Sequence, residues 1–239
     1  MTSGHQMDFQ RARNATQRKA RESAILDAAA ELLAEMSVSD ISLRELSRRV
    51  GLSKTNVVRY FETREAVFFE LLNRAFGEWL DELPAELPPA SPAGPASPAS
   101  VVDEWARSVG RRSLLCELWS SLGIELERNI SAESVRSFKL VHQERQLRLA
   151  ELVRERIPAL TASAAQELVA FSIVLTAGLW PFANPSPSVV EACKDPALAH
   201  SRVDFTDRLS RALLVTVTGL LSVSPSHSDD QEGLTKPDS

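Results

Sequence analysis

The chain has 239 residues, of which 44% are hydrophobic and 25% are charged, and its net charge is −5. This composition excludes a disordered chain and a protein embedded in a membrane as a whole, while the length allows one large domain or two modest ones. Nine glycines, a single tyrosine and few β-branched runs predict an all-α fold. Cys116 and Cys193 lie far apart, and the first residues lack the apolar core of a secretory signal, so a reducing cytoplasm is the expected location.

Charge is distributed unevenly along the chain. Residues 10–64 carry 11 lysines and arginines against 7 acidic residues, a balance of +4, so the remainder carries −9. Such an asymmetry indicates an N-terminal unit that binds an anionic partner, joined to a region with a different task. Nucleic acid is therefore a candidate partner although the total charge is negative.

Four helices are predicted in the first part of the chain, over residues 22–36, 43–50, 54–61 and 65–83. The last three each follow a residue that can cap a helix N-terminus: Ser42, Ser53 and Thr63. Glu45 stands where it can complete a capping box with Ser42. Gly51 can end the second helix, because only glycine adopts the left-handed C-terminal conformation cheaply.

The composition changes abruptly after the fourth helix. Residues 84–100 hold six of the 13 prolines and predict an extended or mobile linker. One or two helices are then expected over residues 101–129, followed by further helices and a proline-rich loop, over residues 132–156, 162–180, 181–198 and 202–221. The predicted organisation is a three-helix N-terminal domain, a connecting helix, the linker, a helical C-terminal domain and a disordered tail, over residues 15–64, 65–83, 84–100, 101–222 and 223–239.

Two short helices joined by a tight turn at Gly51 are typical of a helix-turn-helix, whose second helix enters the major groove of DNA. With Val57 and Phe61 turned inward, helical geometry leaves the polar residues of the second helix outward, where they can read base edges. Peripheral side chains and helix N-termini can meet phosphates, and the basic segment 11–21 can follow the backbone or the minor groove. The predicted DNA-binding residues are Ser42, Arg44, Ser53, Lys54, Thr55, Asn56, Val58, Arg59, Tyr60 and Arg64.

Residues 41–72, ISLRELSRRVGLSKTNVVRYFETREAVFFELL, resemble the DNA-binding domain of the tetracycline-repressor (TetR) family of bacterial transcription regulators, and the resemblance covers about residues 20–75. It implies an all-helical C-terminal domain that binds a small molecule and dimerises through its last two long helices. Val58 departs from the family's frequent tyrosine at this position, and the segment between the first two helices, EMSVSD, lacks the family's usual glycine. The proline-rich linker is also long for the family.

The C-terminal region contains two unusually apolar helical segments. Residues 168–190 carry no charge, but the apolar part is shorter than a membrane span needs, so a buried core helix is the interpretation. A helix that is apolar on nearly every side must be covered on every side, and the last helix is also uncharged after Arg211. Together they predict a homodimer with a four-helix interface, rather than a monomer.

A ligand pocket is expected among aromatic and apolar residues of the central helices, with a few polar groups. The alternative is that most of these residues are ordinary core, and that the histidine is simply a satisfied or solvent-facing one. The predicted ligand-binding residues are Trp119, Leu122, Phe138, Val141, His142, Arg145, Phe171, Leu175 and Trp180.

These patterns predict a dimeric transcriptional regulator, most simply a repressor released from a palindromic operator by a small-molecule effector; an activator is left open. Neither a catalytic constellation nor a metal-ligand spacing is found, and no cofactor is expected. The alternatives are a helical enzyme or small-molecule carrier with an incidental helix-turn-helix, and a nonspecific DNA-binding protein. Arg59→Ala should relax sequence preference, whereas Arg64→Ala should weaken binding to all duplexes alike.

Overall fold

The computed structural model of the chain describes residues 3–89, 96–128 and 130–223, with side chains from residue 15 onward. These residues form helices and contain no strand, which confirms the all-α prediction. In chain order the helices are α1 (Ser3–Leu33), α2 (Leu43–Val50), α3 (Lys54–Val58), α4 (Arg64–Glu86), α5 (Pro98–Gly110), α6 (Ser113–Ser121), α7 (Ala132–Arg156), α8 (Ala162–Ala183), α9 (Pro187–Ala192) and α10 (Phe205–Ser222). Short 3-10 turns at Val38–Asp40 and Pro196–Ser201 and a π-helical turn at Leu122–Leu126 complete the path.

The caps of α2 follow the local chemistry of the sequence, with one exception. The Glu45 N–H donates to Ser42 Oγ at 3.1 Å, and Gly51 ends the helix at φ 70°. The Glu45 carboxylate, however, accepts from Arg48 at 2.5 Å, so the glutamate half of the predicted capping box is replaced by an ion pair within α2. An arginine one turn away offers a charged partner, which a carboxylate prefers to a neutral N–H.

The recognition helix α3 is shorter than predicted. Ser53 caps it as expected, accepting from the Asn56 N–H at 3.2 Å, but the helix ends at Val58 rather than residue 61. Tyr60 and Phe61 both donate their N–H groups to the carbonyl of Val57, at 2.9 and 3.0 Å, and form a turn. So short a helix is marginal in water, and the burial of Val57 and Phe61 against the domain core holds it.

Helix α4 joins the two halves of the molecule through one continuous core. Its buried residues recur at helical spacing from Phe68 through Leu72 and Phe76 to Leu80. Helix α4 packs on α1 of the N-terminal part and on α5, α6 and α7 of the C-terminal part. Helix α4 therefore contributes buried side chains to both the N-terminal and the C-terminal parts of the core.

The predicted linker is partly helical at both ends, which corrects its bounds. Helix α4 continues through Pro84, whose missing N–H leaves the Leu80 carbonyl without its usual partner, and Arg148 donates to that carbonyl at 3.4 Å. Helix α5 begins at Pro98, after the Ser97 cap. Of the residues between them, 90–95 lie outside the described part of the chain.

The C-terminal helices confirm most predicted elements. Helix α7 has the predicted bounds and the predicted Ser131 cap, whereas the predicted proline-rich loop contains α9 and a 3-10 turn. Helix α10 begins at Phe205 instead of residue 202 because Asp204 caps it, accepting from the Asp207 N–H at 2.9 Å. The predicted disordered tail lies outside the described residues, apart from Val223.

Helix α8 is not a fully buried core helix, contrary to the sequence interpretation. It is long and apolar enough to span a membrane, but within the chain only 28% of its most apolar window is buried. Leu168 and Val169 face the core, while Val174 and Phe182 are 67% and 70% exposed. Helix α8 packs mainly against α6, α7 and α10, and the described residues leave its outer face without cover.

Candidate DNA-binding surface and effector site

The exposed face of α3 carries the predicted base-reading residues. Val57 is buried, and the five residues around it on the helix and at its C-terminus are exposed: Lys54, Thr55, Asn56, Val58 and Arg59. Val58 is 42% exposed, so an apolar side chain stands on a surface otherwise made of polar groups. Lysine and arginine donors, an asparagine amide and the methyl groups of threonine and valine are groups that can read base edges in the major groove.

The polar residues that flank α3 differ in whether their side chains are already engaged within the protein. Arg44 is exposed on α2, which leaves it available to a phosphate. The Ser42 and Ser53 hydroxyls are exposed but already accept the backbone N–H groups that they cap. Arg49, by contrast, pairs with Glu35 at 2.5 Å and Glu31 at 3.4 Å, and thereby fastens α2 to α1. Part of the basic charge counted in the sequence is therefore neutralised internally.

Arg64 has a structural role that the sequence prediction missed. Its Nη1 donates to the carbonyls of Val38, Ser39 and Ile41 at 3.1, 3.2 and 3.2 Å, and its guanidinium pairs with Glu65 at 3.1 Å. The connection between α1 and α2, which lacks the family's usual glycine, points its carbonyls at this cation. We therefore correct the assignment of Arg64 as a phosphate contact, because its hydrogen-bond donors are directed into the domain.

A groove between α1 and α3 brings part of the basic N-terminal segment next to the recognition helix. The Arg18 guanidinium lies 5.8 Å from the centroid of the half-buried Tyr60 ring, within cation–π range. The groove has a volume of about 600 Å³ and is lined by Gln17, Arg18, Ala20, Arg21, Leu52, Asn56 and Tyr60. Asn56 thus lines the same groove as the exposed Arg18 and Arg21 of α1. The sequence pattern did not reveal this proximity.

Three of the predicted ligand-binding residues meet in an aromatic cluster around Phe76 of α4. Trp119 and His142 each lie with ring centroids 5.2 Å from Phe76, and Phe138 lies 5.0 Å from His142. Trp119, Phe138 and His142 are 3%, 5% and 6% exposed. Helices α4, α6 and α7 each contribute a wall of this cluster.

Asn73 is a member of this cluster that the sequence analysis missed. It is 1% exposed, its Oδ1 lies 3.3 Å from His142 Nδ1, and its Nδ2 donates to the Phe138 carbonyl at 3.5 Å. A buried asparagine in the apolar stripe of α4 is the signal that could have identified it, because buried polar side chains need specific partners.

The other predicted ligand-binding residues do not join one site. Four of them have half-buried side chains at the edges of the core: Leu122, Val141, Arg145 and Leu175. Phe171 is 45% exposed on the outer face of α8, which corrects its assignment to a pocket. Trp180 donates to Glu117 at 3.1 Å and lines a separate cavity of about 230 Å³, against Leu33 of α1.

Burial controls the protonation of His142. Desolvation, followed by the nearby charges of Arg145 and Lys139, lowers the pKa of His142 from 6.5 to about 4. The imidazole is therefore neutral at pH 7. Its Nδ1 carries the proton, since the Asn73 oxygen that faces it can only accept a hydrogen bond.

Acidification is expected to destabilise the fold through His142. Because the folded pKa lies below the unfolded value, the contribution to stability is complete above pH 6.5 and is lost as the pH falls to about 4. The loss amounts to about 3 kcal/mol of unfolding free energy. Urea titrations at pH 7 and pH 4 should show a larger loss of unfolding free energy for the unmodified protein than for His142→Phe. The two proteins have the same carboxylates, so the difference reports on the histidine. Equal pH dependence of the two proteins would contradict the assignment.

The fold and these two regions define a class of protein: a helix-turn-helix with an exposed recognition helix, followed by a helical domain with a polar group in its aromatic core. Residues 73–224, more than half of the chain, match the family described as "Tetracyclin repressor-like, C-terminal domain", and residues 25–71 match "Bacterial regulatory proteins, tetR family". The chain belongs to the TetR family, as the sequence resemblance indicated.

Individual relatives agree with this membership over parts of the chain. The HTH-type transcriptional regulator RutR of Escherichia coli K12 is 32% identical over 66 residues, which are 28% of this chain and 31% of that protein. The chain thus spans about a third of the length of the curated relatives that it matches.

Two solved structures share the fold over most of the chain. A TetR transcriptional regulator from Rhodococcus sp. RHA1 is 18% identical with a TM-score of 0.53, covering 87% of this chain and 98% of that one. FadR from Bacillus subtilis, in complex with stearoyl-CoA, is 15% identical with a TM-score of 0.50, covering 82% and 96%. At these identities the likeness shows the fold alone.

Proposed function

We propose that the protein is a homodimeric, cytoplasmic transcriptional regulator that binds a palindromic DNA operator and is released from it by a small-molecule effector. The exposed polar face of α3, opposite the buried Val57, is the observation that carries this proposal. Family membership supports it, because the N-terminal match covers the whole helix-turn-helix.

On the DNA side, the proposal divides the exposed residues by task. Lys54, Asn56 and Arg59 are assigned to base edges, Thr55 and Val58 to methyl contacts. Phosphate contacts are assigned to the exposed Arg44, to Tyr60 and to the capped N-termini at Ser42 and Ser53. The cations of α1 that border Asn56 extend the same surface along the DNA backbone.

The uncovered faces of α8 and α10 support the homodimer. The two helices pack together, and both present apolar side chains outward, with Val174 and Val215 67% and 65% exposed. Gly178 and Gly219 have open space where a side chain would project, so helices of a second copy can approach closely. A second copy with the same faces would cover all four helices about a two-fold axis.

A two-fold dimer also explains how short recognition helices achieve specificity. Two α3 helices related by the axis read half-sites about one helical turn apart, near 34 Å. The operator is then a palindrome whose symmetry matches that of the protein.

Helix α4 supplies the connection between effector and operator in this proposal. Phe76 and Asn73 lie in the aromatic cluster, and Arg64 at the start of the same helix binds the α1–α2 connection. A ligand that prefers a displaced α4 therefore also prefers displaced recognition helices. Nearly complete switching needs a preference of about 10⁴-fold, or roughly 5.5 kcal/mol.

A helical enzyme or carrier with an incidental helix-turn-helix is the main alternative. Cys116 is fully buried, and desolvation raises its pKa to about 12, which keeps the thiol protonated. We propose no catalytic activity, no cofactor and no metal. Sequence-specific operator binding by the purified protein, without turnover of the effector, would separate the regulator from this alternative.

The most direct test selects bound sites from a random pool of DNA duplexes. We expect an inverted repeat with half-sites one helical turn apart, bound far more tightly than random duplexes at the same salt concentration. A selected pool with no common sequence would support a nonspecific DNA-binding protein and contradict the proposal. Mapping the selected repeat onto the source genome then identifies the regulated genes.

Arg59→Ala is expected to weaken the free energy of operator binding by about 1 to 3 kcal/mol. It should also relax the base preference at one base pair of each half-site. Arg44→Ala is the matched control: as a phosphate contact, it should weaken all duplexes similarly and reduce the salt slope by about one per contact. Titrations of operator and scrambled duplexes at several salt concentrations distinguish the two effects. A uniform loss with Arg59→Ala would contradict its assignment to a base edge.

A further inference from the structure

Two buried ring nitrogens in the aromatic cluster have no hydrogen-bond partner among the described residues. They are Nε1 of Trp119 and Nε2 of His142, in side chains that are 3% and 6% exposed. A buried polar atom without a partner costs about 1 to 3 kcal/mol, so natural proteins rarely keep two of them near one ring without a reason. Both side chains touch Phe76 of α4, so the two nitrogens belong to side chains that pack on the same ring.

The two nitrogens have opposite hydrogen-bonding characters. The Phe138 carbonyl can only accept, so it orients the Asn73 amide with Nδ2 toward itself and Oδ1 toward His142. His142 Nδ1 must then carry the proton of the neutral ring, which leaves Nε2 with a free lone pair. Trp119 Nε1–H is a donor only. The cluster therefore lacks one donor and one acceptor.

A single hydroxyl group of a ligand supplies both. Its O–H donates to a lone pair, and its oxygen accepts from an N–H. A carboxylate fits poorly, because it has no proton for His142 Nε2 and because burial of an unpaired charge is costly. The rings of Phe69, Phe76 and Phe138 complete surroundings suited to an uncharged, aromatic or apolar body.

The wall next to Trp119 is irregular. Helix α6 ends in a π-helical turn, Leu122–Leu126, directly after the tryptophan's helix, and this turn packs against α4. Gly123 within it has open space around its Cα. Wide turns of this kind are frequent at functional sites, because they interrupt the regular hydrogen-bond ladder.

We propose that the effector is an uncharged molecule whose hydroxyl group donates to His142 Nε2 and accepts from Trp119 Nε1–H. This inference rests on the proposed regulatory function and specifies the chemical class of the effector. Binding to these two side chains inserts a group between α6, α7 and the middle of α4, where Asn73 and Phe76 lie.

Matched probe compounds test the hydroxyl requirement directly. The probes are a phenyl, a naphthyl and an indanyl scaffold, each as the hydroxyl compound, its methyl ether and the parent hydrocarbon. Calorimetric titration of the full-length protein should show the hydroxyl compound of at least one scaffold binding about tenfold tighter than its ether. The ether should in turn bind more tightly than the hydrocarbon, since its oxygen still accepts from Trp119.

Substitutions then assign the preference for hydroxyl over ether to His142 and the preference for ether over hydrocarbon to Trp119. His142→Phe should abolish the advantage of the hydroxyl over the ether, and Trp119→Phe the advantage of the ether over the hydrocarbon. Trp180→Phe is the matched control, because its indole N–H already donates to Glu117 and the preferences should persist. Retention of both preferences in His142→Phe and Trp119→Phe, or no hydroxyl preference on any scaffold, overturns the proposal.

A crystal structure of the unmodified protein with the preferred hydroxyl compound keeps the test independent of variant folding. The hydroxyl oxygen should lie within hydrogen-bond distance of both ring nitrogens. A water molecule bridging the nitrogens in the presence of the bound compound would overturn the proposal.

Operator titrations separate this inference from the function on which it rests. If the protein binds a selected DNA repeat that no hydroxyl compound releases, the effector class is wrong and the regulatory function stands. If the hydroxyl compounds bind as expected but no DNA sequence is preferred, the regulatory function is wrong and the ligand site stands.

Discussion

Val174→Arg is expected to convert the protein into a monomer and to weaken operator binding by about a thousandfold or more. In the proposed dimer the outer face of α8, where Val174 is 67% exposed in the single chain, becomes buried against a second copy. The two-fold axis introduces the substitution twice, and each buried, unpaired guanidinium costs several kcal/mol. A monomer engages only one half-site, so it loses the second recognition helix as well.

Sedimentation velocity at about ten times the dimer dissociation constant measures the first effect, and operator titration measures the second. Leu140→Arg is the matched control, because Leu140 is a comparably exposed apolar residue, on α7, outside the proposed interface. The control should remain dimeric. A Val174→Arg protein that sediments like the unmodified protein would contradict the α8–α10 interface.

Arg64→Met is expected to lower the unfolding free energy by about 3 to 5 kcal/mol, a large part of the stability of an ordinary domain. The substitution preserves the length of the apolar stem but removes the donor shared by the carbonyls of Val38, Ser39 and Ile41. It also leaves Glu65, whose side chain is 8% exposed, without its charged partner. Loss of DNA binding then follows from loss of the domain's structure.

The role of Arg64 can be separated from that of a phosphate contact. Arg64→Lys retains the charge but cannot reach several carbonyls with one planar group, so its loss of stability should be intermediate. A phosphate contact predicts the reverse pattern: unchanged urea denaturation for both variants and a flatter salt slope for Arg64→Met. Urea titrations followed by operator titrations at low temperature decide between the two roles.

Features with local causes were predictable from the sequence. Ser42, Ser53, Thr63 and Ser131 all cap the helices they were expected to cap, since a cap needs only the side chain and the backbone three residues on. Gly51 adopts the left-handed conformation that its place at the turn demanded. The inward orientation of Val57 and the outward one of Arg59 likewise follow from helical periodicity.

Features that depend on residues distant in the chain were not predictable from the sequence. The end of α3 at Val58 depends on where Phe61 finds burial in the domain. The role of Arg64 depends on carbonyls more than twenty residues away, and that of Asn73 on a histidine of α7. Local patterns contain no information about such pairs.

The sequence by itself determined the helical class, the helix-turn-helix and the placement of its caps, because periodicity and capping act over a few neighbouring residues. Only the tertiary structure decided which polar groups are available for binding. It directed Arg64 into the protein, turned Phe171 and Val174 out of it, and left the ring nitrogens of Trp119 and His142 facing no partner in the described chain. The physical reason is that availability depends on what packs against a side chain, and packing partners come from anywhere along the chain.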